Sequence, residues 1–274
     1  MNARVDDVFA ELRTLGALFM RAVRASFSYK PALLMSLLST GFAYAIPMLV
    51  WSHIYGENGA KPALPAESLF PYLLIACCLN FTFAMNVEWR IGQRIRMGLI
   101  ATDLLRPVDF QLAQLAQALS DGLFNVALVL PIYVATLLFW GGHALPHGAA
   151  AWAAFCLSAL LSFIILFAVS YIFVQASFVT YSGYGVFVAR NALQQTFSGL
   201  SAPLILFPPK LRSVAEWLPF RHTIHTPVSI YLGWLKGAEV WRALGAQAAW
   251  AVGLLALGRF LLGRALRRFE IQGG

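Results

Sequence analysis

Three groups of side chains stand out as candidates for ligand binding or docking. His222 and His225, in the run HTIH, would share a helix face and could offer two imidazoles to one metal ion. Two such ligands with no acid nearby make a weak site, and the same holds for His143 and His147. The second group is RIGQRIRMGLIATDLLRPVDF, residues 90–110, with four arginines, two aspartates, two glycines and a proline between long apolar runs. The third is a polar stripe, Asn191, Gln194, Gln195, Ser198 and Ser201, at near-helical spacing. Asn80, Thr82 and Asn86 in an earlier apolar run could oppose it.

Other chemistry is thin. There is no His-Glu-x-x-His, and no serine or cysteine has a plausible general base nearby in sequence. Cys77, Cys78 and Cys156 lack metal-ligand spacing and give no disulfide framework. A phosphate-binding loop needs Gly-Lys-Ser/Thr, because its lysine holds the phosphates. The four lysines follow Tyr29, Ala60, Pro209 and Leu235, so none completes that motif.

The elements that must position these groups are apolar. Of 274 residues, 59% are hydrophobic and 12% charged, and the mean hydropathy is +0.69. Several runs approach the roughly 20 apolar residues that cross a bilayer. The runs are continuous rather than alternating, which favours helices over a barrel. The expectation is an all-α, polytopic membrane protein with six spans, near 31–54, 69–87, 119–140, 150–177, 185–207 and 242–263. Pro47 and Pro131 fall inside the first and third. No linker divides the chain, so residues 1–274 read as one membrane domain.

Six spans place both termini on one side. That side collects 14 lysines and arginines and the other 6, which makes the first cytoplasmic. The net charge of +8 clusters beside the apolar runs, a topology signal rather than a nucleic-acid groove. Span centres carry no Asp, Glu, Lys or Arg, and Asp121 and Arg190 fall near span ends. This weighs against an ion-driven carrier, which places charge deep in the bilayer. Within residues 1–30, Val5, Val8, Phe9, Leu12, Leu15, Phe19, Val23 and Phe27 recur at three- and four-residue steps. They make an amphipathic helix suited to the inner membrane surface, or to packing on a soluble partner.

Residues 88–118 are then a cytoplasmic loop with a helix–turn–helix pattern, bent at Gly98 and stopped before Pro107. It is too apolar for a free loop and too charged for the bilayer. Composition leaves two readings level: a docking surface for a soluble partner, or a basic loop that sets topology. The polar stripe also has two readings, a wall of a substrate path or a set of interhelical hydrogen bonds. Residues 202–238 are too apolar for a plain loop and too broken by proline for a span, as for a segment that dips back into the outer leaflet.

The stretch GLIATDLLRPV, Gly98 to Val108, resembles the cytoplasmic loop of ABC-2 type transporter permeases. The resemblance extends to the amphipathic N-terminus, the six spans and the last external loop, with Pro203, Pro208-Pro209, Leu218-Pro219-Phe220, Pro227 and Gly233. The C-terminal RRFEIQGG is similar too. The resemblance implies a permease subunit of an ATP-binding-cassette exporter in the bacterial cytoplasmic membrane. Two permeases, this chain twice or with a related one, would pair with two cytoplasmic ATPases. ATP and magnesium would sit in the ATPase, with no cofactor in this chain. Loop 88–118 would be the coupling element, and segment 202–238 would form re-entrant helices closing an outer gate. Arg90, Arg94, Arg96, Asp103 and Arg106 are the expected contacts, with lipid phosphate a competing partner for Arg106. Asn80, Asn86, Asn191, Gln194, Gln195 and Ser198 are the expected path residues. The competing function is a stand-alone ion-coupled or facilitative carrier.

Overall fold

A computed structural model describes residues 16, 17, 20, 30–57, 64–105, 107–139, 146, 148–177 and 183–266. The expected surface helix over 1–30, Arg106 and the C-terminal RRFEIQGG lie outside these, save Gly16, Ala17, Met20 and Lys30. The described residues are helical, with no strand among them. In chain order the helices are α1 (Lys30–Glu57), α2 (Ala66–Thr82), α3 (Val87–Arg96), α4 (Ile100–Leu104) and α5 (Phe110–Phe139). There follow α6 (Ala149–Val174), α7 (Gly183–Phe197), α8 (Pro209–Trp217), α9 (His225–Tyr231) and α10 (Ala238–Leu266). Short 3₁₀ turns at Leu204–Leu206 and Pro219–His222 flank α8.

Four stretches among the described residues are long and apolar enough to cross a membrane: Ala66–Arg96, Phe110–Ala135, Ala149–Val174 and Ala238–Leu266. Helix α1 covers the first expected span. The fifth expected span, 185–207, is not one helix. Helix α7 stops at Phe197 after 15 residues, roughly 22 Å at 1.5 Å per residue. The chain then turns at Gly199, where φ is +82°. The third expected span begins earlier than residue 119, because Asp109 starts α5. Its Oδ1 accepts the Leu112 N–H at 3.0 Å, satisfying one of the free donors of a helix start.

The core forms where α2, α3 and α6 meet, around Tyr72, Leu73, Ile91, Phe167 and Tyr171. Inside a bilayer there is little hydrophobic drive between helices, so van der Waals fit and buried hydrogen bonds hold them. Helix α10 packs along α6, and Gln247 bonds it there. The Gln247 Nε2 donates to Ser162 Oγ and to the His222 carbonyl, both at 2.9 Å, while Ser158 Oγ donates to Gln247 Oε1 at 2.8 Å. One buried amide thus joins α6, α10 and the 3₁₀ turn before α9.

Residues 202–238 form the broken run of short helices that their prolines dictate. The segment caps the bundle from one end, with Thr226 to Tyr231 buried against α6 and α2. Tyr72 anchors it: its hydroxyl donates to the Gly199 carbonyl at 2.8 Å and its ring stacks on Trp234 at 5.4 Å. A Cβ on Gly199 would lie 2.6 Å from the Tyr72 hydroxyl, in a backbone region side chains rarely adopt. Gly199→Ala is therefore expected to destabilise the protein by about 1–2 kcal/mol or more. Tyr72→Phe should restore part of that loss by removing the clashing oxygen. Thermal unfolding midpoints of the single and double variants in detergent check this, and strict additivity would contradict the packing described.

Candidate functional site

The charged stretch of residues 90–110 folds as a tight helix–turn–helix. Helix α3 ends in a Schellman arrangement: the Leu99 N–H donates to the Arg94 carbonyl at 2.9 Å and the Gly98 N–H to that of Ile95 at 3.1 Å. Gly98, at φ +69°, supplies the left-handed residue this turn requires. Ile91, Gly92 and Ile95 bury one face of α3, and Ile100 buries α4. Arg94 and Asp103 then clamp the turn. The Arg94 Nη2 donates to Asp103 Oδ1 at 2.8 Å and its Nε donates to Oδ2, a bidentate pair with the carboxylate largely buried.

The turn presents an apolar tip. Met97, Leu99 and Leu105 are exposed, Leu105 by 84%. Arg96 is exposed and lies over the ring of exposed Trp89, 5.8 Å from its centroid. So the five expected contact residues differ in setting. Arg94 and Asp103 hold the turn, Arg90 points into the bundle, Arg96 flanks the tip and Arg106 is outside the described residues.

Ion pairs tie this segment to the long helices. Arg90 Nη1 meets Asp121 Oδ2 of α5 at 2.9 Å, and Gln117 Nε2 donates to the other Asp121 oxygen at 3.4 Å. Asp109 pairs with Arg259 of α10 while capping α5. Among the described residues the most buried pair joins Glu88, at the start of α3, to Arg190 of α7, with Nε to Oε1 at 2.7 Å. The Glu88 side chain has 0% exposure and that of Arg190 6%. The Arg190 guanidinium also lies 5.4 Å from the Phe187 ring centroid. The sequence marks Arg190 as lying near a span end, but nothing local marks Glu88 as its partner. The signal was an acid immediately after an apolar run, with its partner 102 residues away.

The expected path residues divide between two surroundings. Asn80 and Gln195 line one cavity of about 410 Å³ with Trp51, Phe81 and Ser201. Gln194 faces inward instead, and its Nε2 donates to Thr223 Oγ1 at 2.7 Å. Ser198 is buried, and its Oγ accepts the Leu200 N–H at 3.2 Å. Asn191 is half-buried on α7, and Asn86 is exposed at the start of α3. Thr82 faces a different cavity. The polar stripe thus combines hydrogen bonds that hold the cap with groups that face a cavity.

The His222 and His225 imidazoles are engaged within the cap, while His143 and His147 lie outside the described residues. His222 Nδ1 lies 3.2 Å from Thr226 Oγ1, and His225 Nδ1 lies 3.2 Å from the Tyr72 hydroxyl. Among the described residues no three His, Cys, Asp or Glu side chains are grouped for a metal.

Removing one member of a buried ion pair strands a charge, which costs about 3–5 kcal/mol. Arg190→Met alone should therefore sharply lower the folded yield and thermal midpoint. Glu88→Met with Arg190→Met should recover most of both. Equal damage in the single and double variants would contradict the pairing.

Among known families, the ABC-2 family transporter protein model matches residues 66–273. That stretch contains the helix–turn–helix, every ion pair described above and the proline-broken cap. No curated protein matches the chain. With apolar helices long enough to span a bilayer and a match over most of its length, the chain belongs to the ABC-2 transporter family, membrane transport subunits that normally work with an ATP-binding subunit.

Proposed function

We propose that this chain is the permease subunit of an ABC exporter and that its helix–turn–helix docks a separate cytoplasmic ATPase. The observation that carries this reading is the apolar tip of Met97, Leu99 and Leu105, held in shape by the Arg94–Asp103 clamp. A clamped, largely apolar knob flanked by Arg96 has the anatomy of a small interface: an apolar centre and a charged rim. Arg90 and Arg94 position the knob and Asp103 locks it, while Leu105 enters the partner.

On this reading two copies of the ATPase hold ATP and magnesium, since no lysine here completes a phosphate-binding loop. A second permease, itself or a related chain, completes the pore in the bacterial cytoplasmic membrane. Six membrane segments, with α1 as the first and the shorter α7 together with the turn after it as the fifth, keep both termini cytoplasmic. Asn80 and Gln195 face the substrate path, with Asn86 and Asn191 near its cytoplasmic end. Gln194 and Ser198 support that wall from behind. The cap over residues 202–238 forms the outer gate. Motion imposed on the turn reaches α7 through Glu88 and Arg190, because a buried ion pair resists separation.

Leu105→Glu is expected to lower the ATPase recovered per permease, in affinity purification from native membranes, at least tenfold. That corresponds to about 1.4 kcal/mol of binding. The permease itself should stay monodisperse, because Leu105 packs against little of its own chain. Unchanged recovery would remove the turn as the docking element.

A further inference from the structure

A second cavity, of about 470 Å³, lies between α2, α5, α6 and α9. Its size falls in the range of roughly 300–1,000 Å³ typical of small-ligand sites. Leu79, Val129, Phe155 and Ala159 are among its walls, and no charged side chain among the described residues lines it. At one end the Tyr133 and Tyr231 hydroxyls hydrogen-bond to each other. Phe155 and Trp152 meet the Tyr231 ring edge-on, at 5.0 and 5.8 Å. Pro131, beside the mouth, deprives that wall of one helical hydrogen bond.

The mouth opens sideways. Val126, Leu130 and Trp152 line the cavity and are also exposed on the outside of the bundle. Val126 and Leu130 belong to an exposed apolar stripe on α5 that runs through Leu119, Leu123 and Val134. Steps of three and four residues put these on one helix face. In a spanning helix that face meets hydrocarbon, so the cavity is continuous with the lipid-facing surface. A phosphate, a sugar or a peptide backbone would find almost nothing to replace its lost hydrogen bonds there. A hydrocarbon chain loses none.

We propose that this groove holds one acyl chain of a bilayer phospholipid, which enters between α5 and α6. Trp152 at the mouth suits the headgroup level, where its ring satisfies both apolar and polar neighbours. The inference rests on the membrane-spanning reading and is independent of the ATPase, so either can fail alone.

The test uses the full chain in nanodiscs of phosphatidylethanolamine and phosphatidylglycerol, doped with phospholipid bearing a diazirine at the acyl terminus. After irradiation, adducts are mapped by peptide mass spectrometry. Adducts in 126–133 and 152–159 should exceed those at Val252, Leu257 and Phe260 of α10, which are on the whole more exposed, at least fivefold. Ala159→Phe, which fills the groove, should cut the groove adducts at least fivefold and leave those on α10 unchanged. Cys156→Trp replaces it should that variant not fold. Even labelling of both surfaces would overturn the proposal. So would labelling by a diazirine fatty acid alone, which assigns the groove to a free amphiphile. Disulfide cross-linking between Cys156 residues of two copies, with no lipid adduct, would assign it to a second copy of the chain.

Discussion

A carboxylate with no exposed surface has to be met by a cation, and in this protein Glu88 is met by Arg190 from a helix 102 residues further on. The pair fixes more than its own two side chains. It sets α3 against α7 at the point where the chain leaves α2 and turns back toward α5. Around it two further pairs join the two ends of the helix–turn–helix to different long helices, while Arg94 and Asp103 pair within the turn. Arg90 reaches α5, and Asp109 reaches α10. Charges of this kind are poor sources of net stability, because desolvation offsets much of the attraction. Their geometric effect is larger: a partner left unpaired in an apolar bundle is costly, so alternative docking arrangements of α3 are disfavoured.

The opposite end of the bundle is ordered by neutral groups. Tyr72, Gln194, Gln247 and the backbone around Gly199 hold the short helices of 202–238 down on α2, α6 and α7. Helices in a bilayer gain little from apolar contact alone, so a few buried amides and hydroxyls decide how they sit. The ionic end and the neutral end are both anchored on α7, which is short and lies between them. That arrangement is what the proposed transmission from turn to cap requires.

Local chemistry was legible in the sequence and distant pairing was not. Gly98 announced the turn, since the left-handed position of a Schellman ending favours glycine. Long apolar runs announced helices, and the prolines of 202–238 announced a broken segment. The start of α5 was misplaced because Asp109 reads as a loop charge until its capping bond is seen. The fifth span was overextended because apolar residues continue past Phe197, while the positive φ of Gly199 leaves no trace in hydropathy. Gln194 and Gln195 are adjacent in sequence, yet one bonds the cap and the other lines a cavity. Helical spacing gives relative direction around an axis, but not which direction is inward. Glu88 was missed for a related reason: its partner is close only in the folded chain.

A contact between the exposed tip of the turn and an ATPase can be trapped covalently. The most direct measurement places a photoreactive benzophenone residue at position 105 and irradiates native membranes. The expected product is a single major protein adduct whose peptides identify an ABC ATPase subunit. Adducts to lipid alone, with the same permease still active in transport, would contradict that contact.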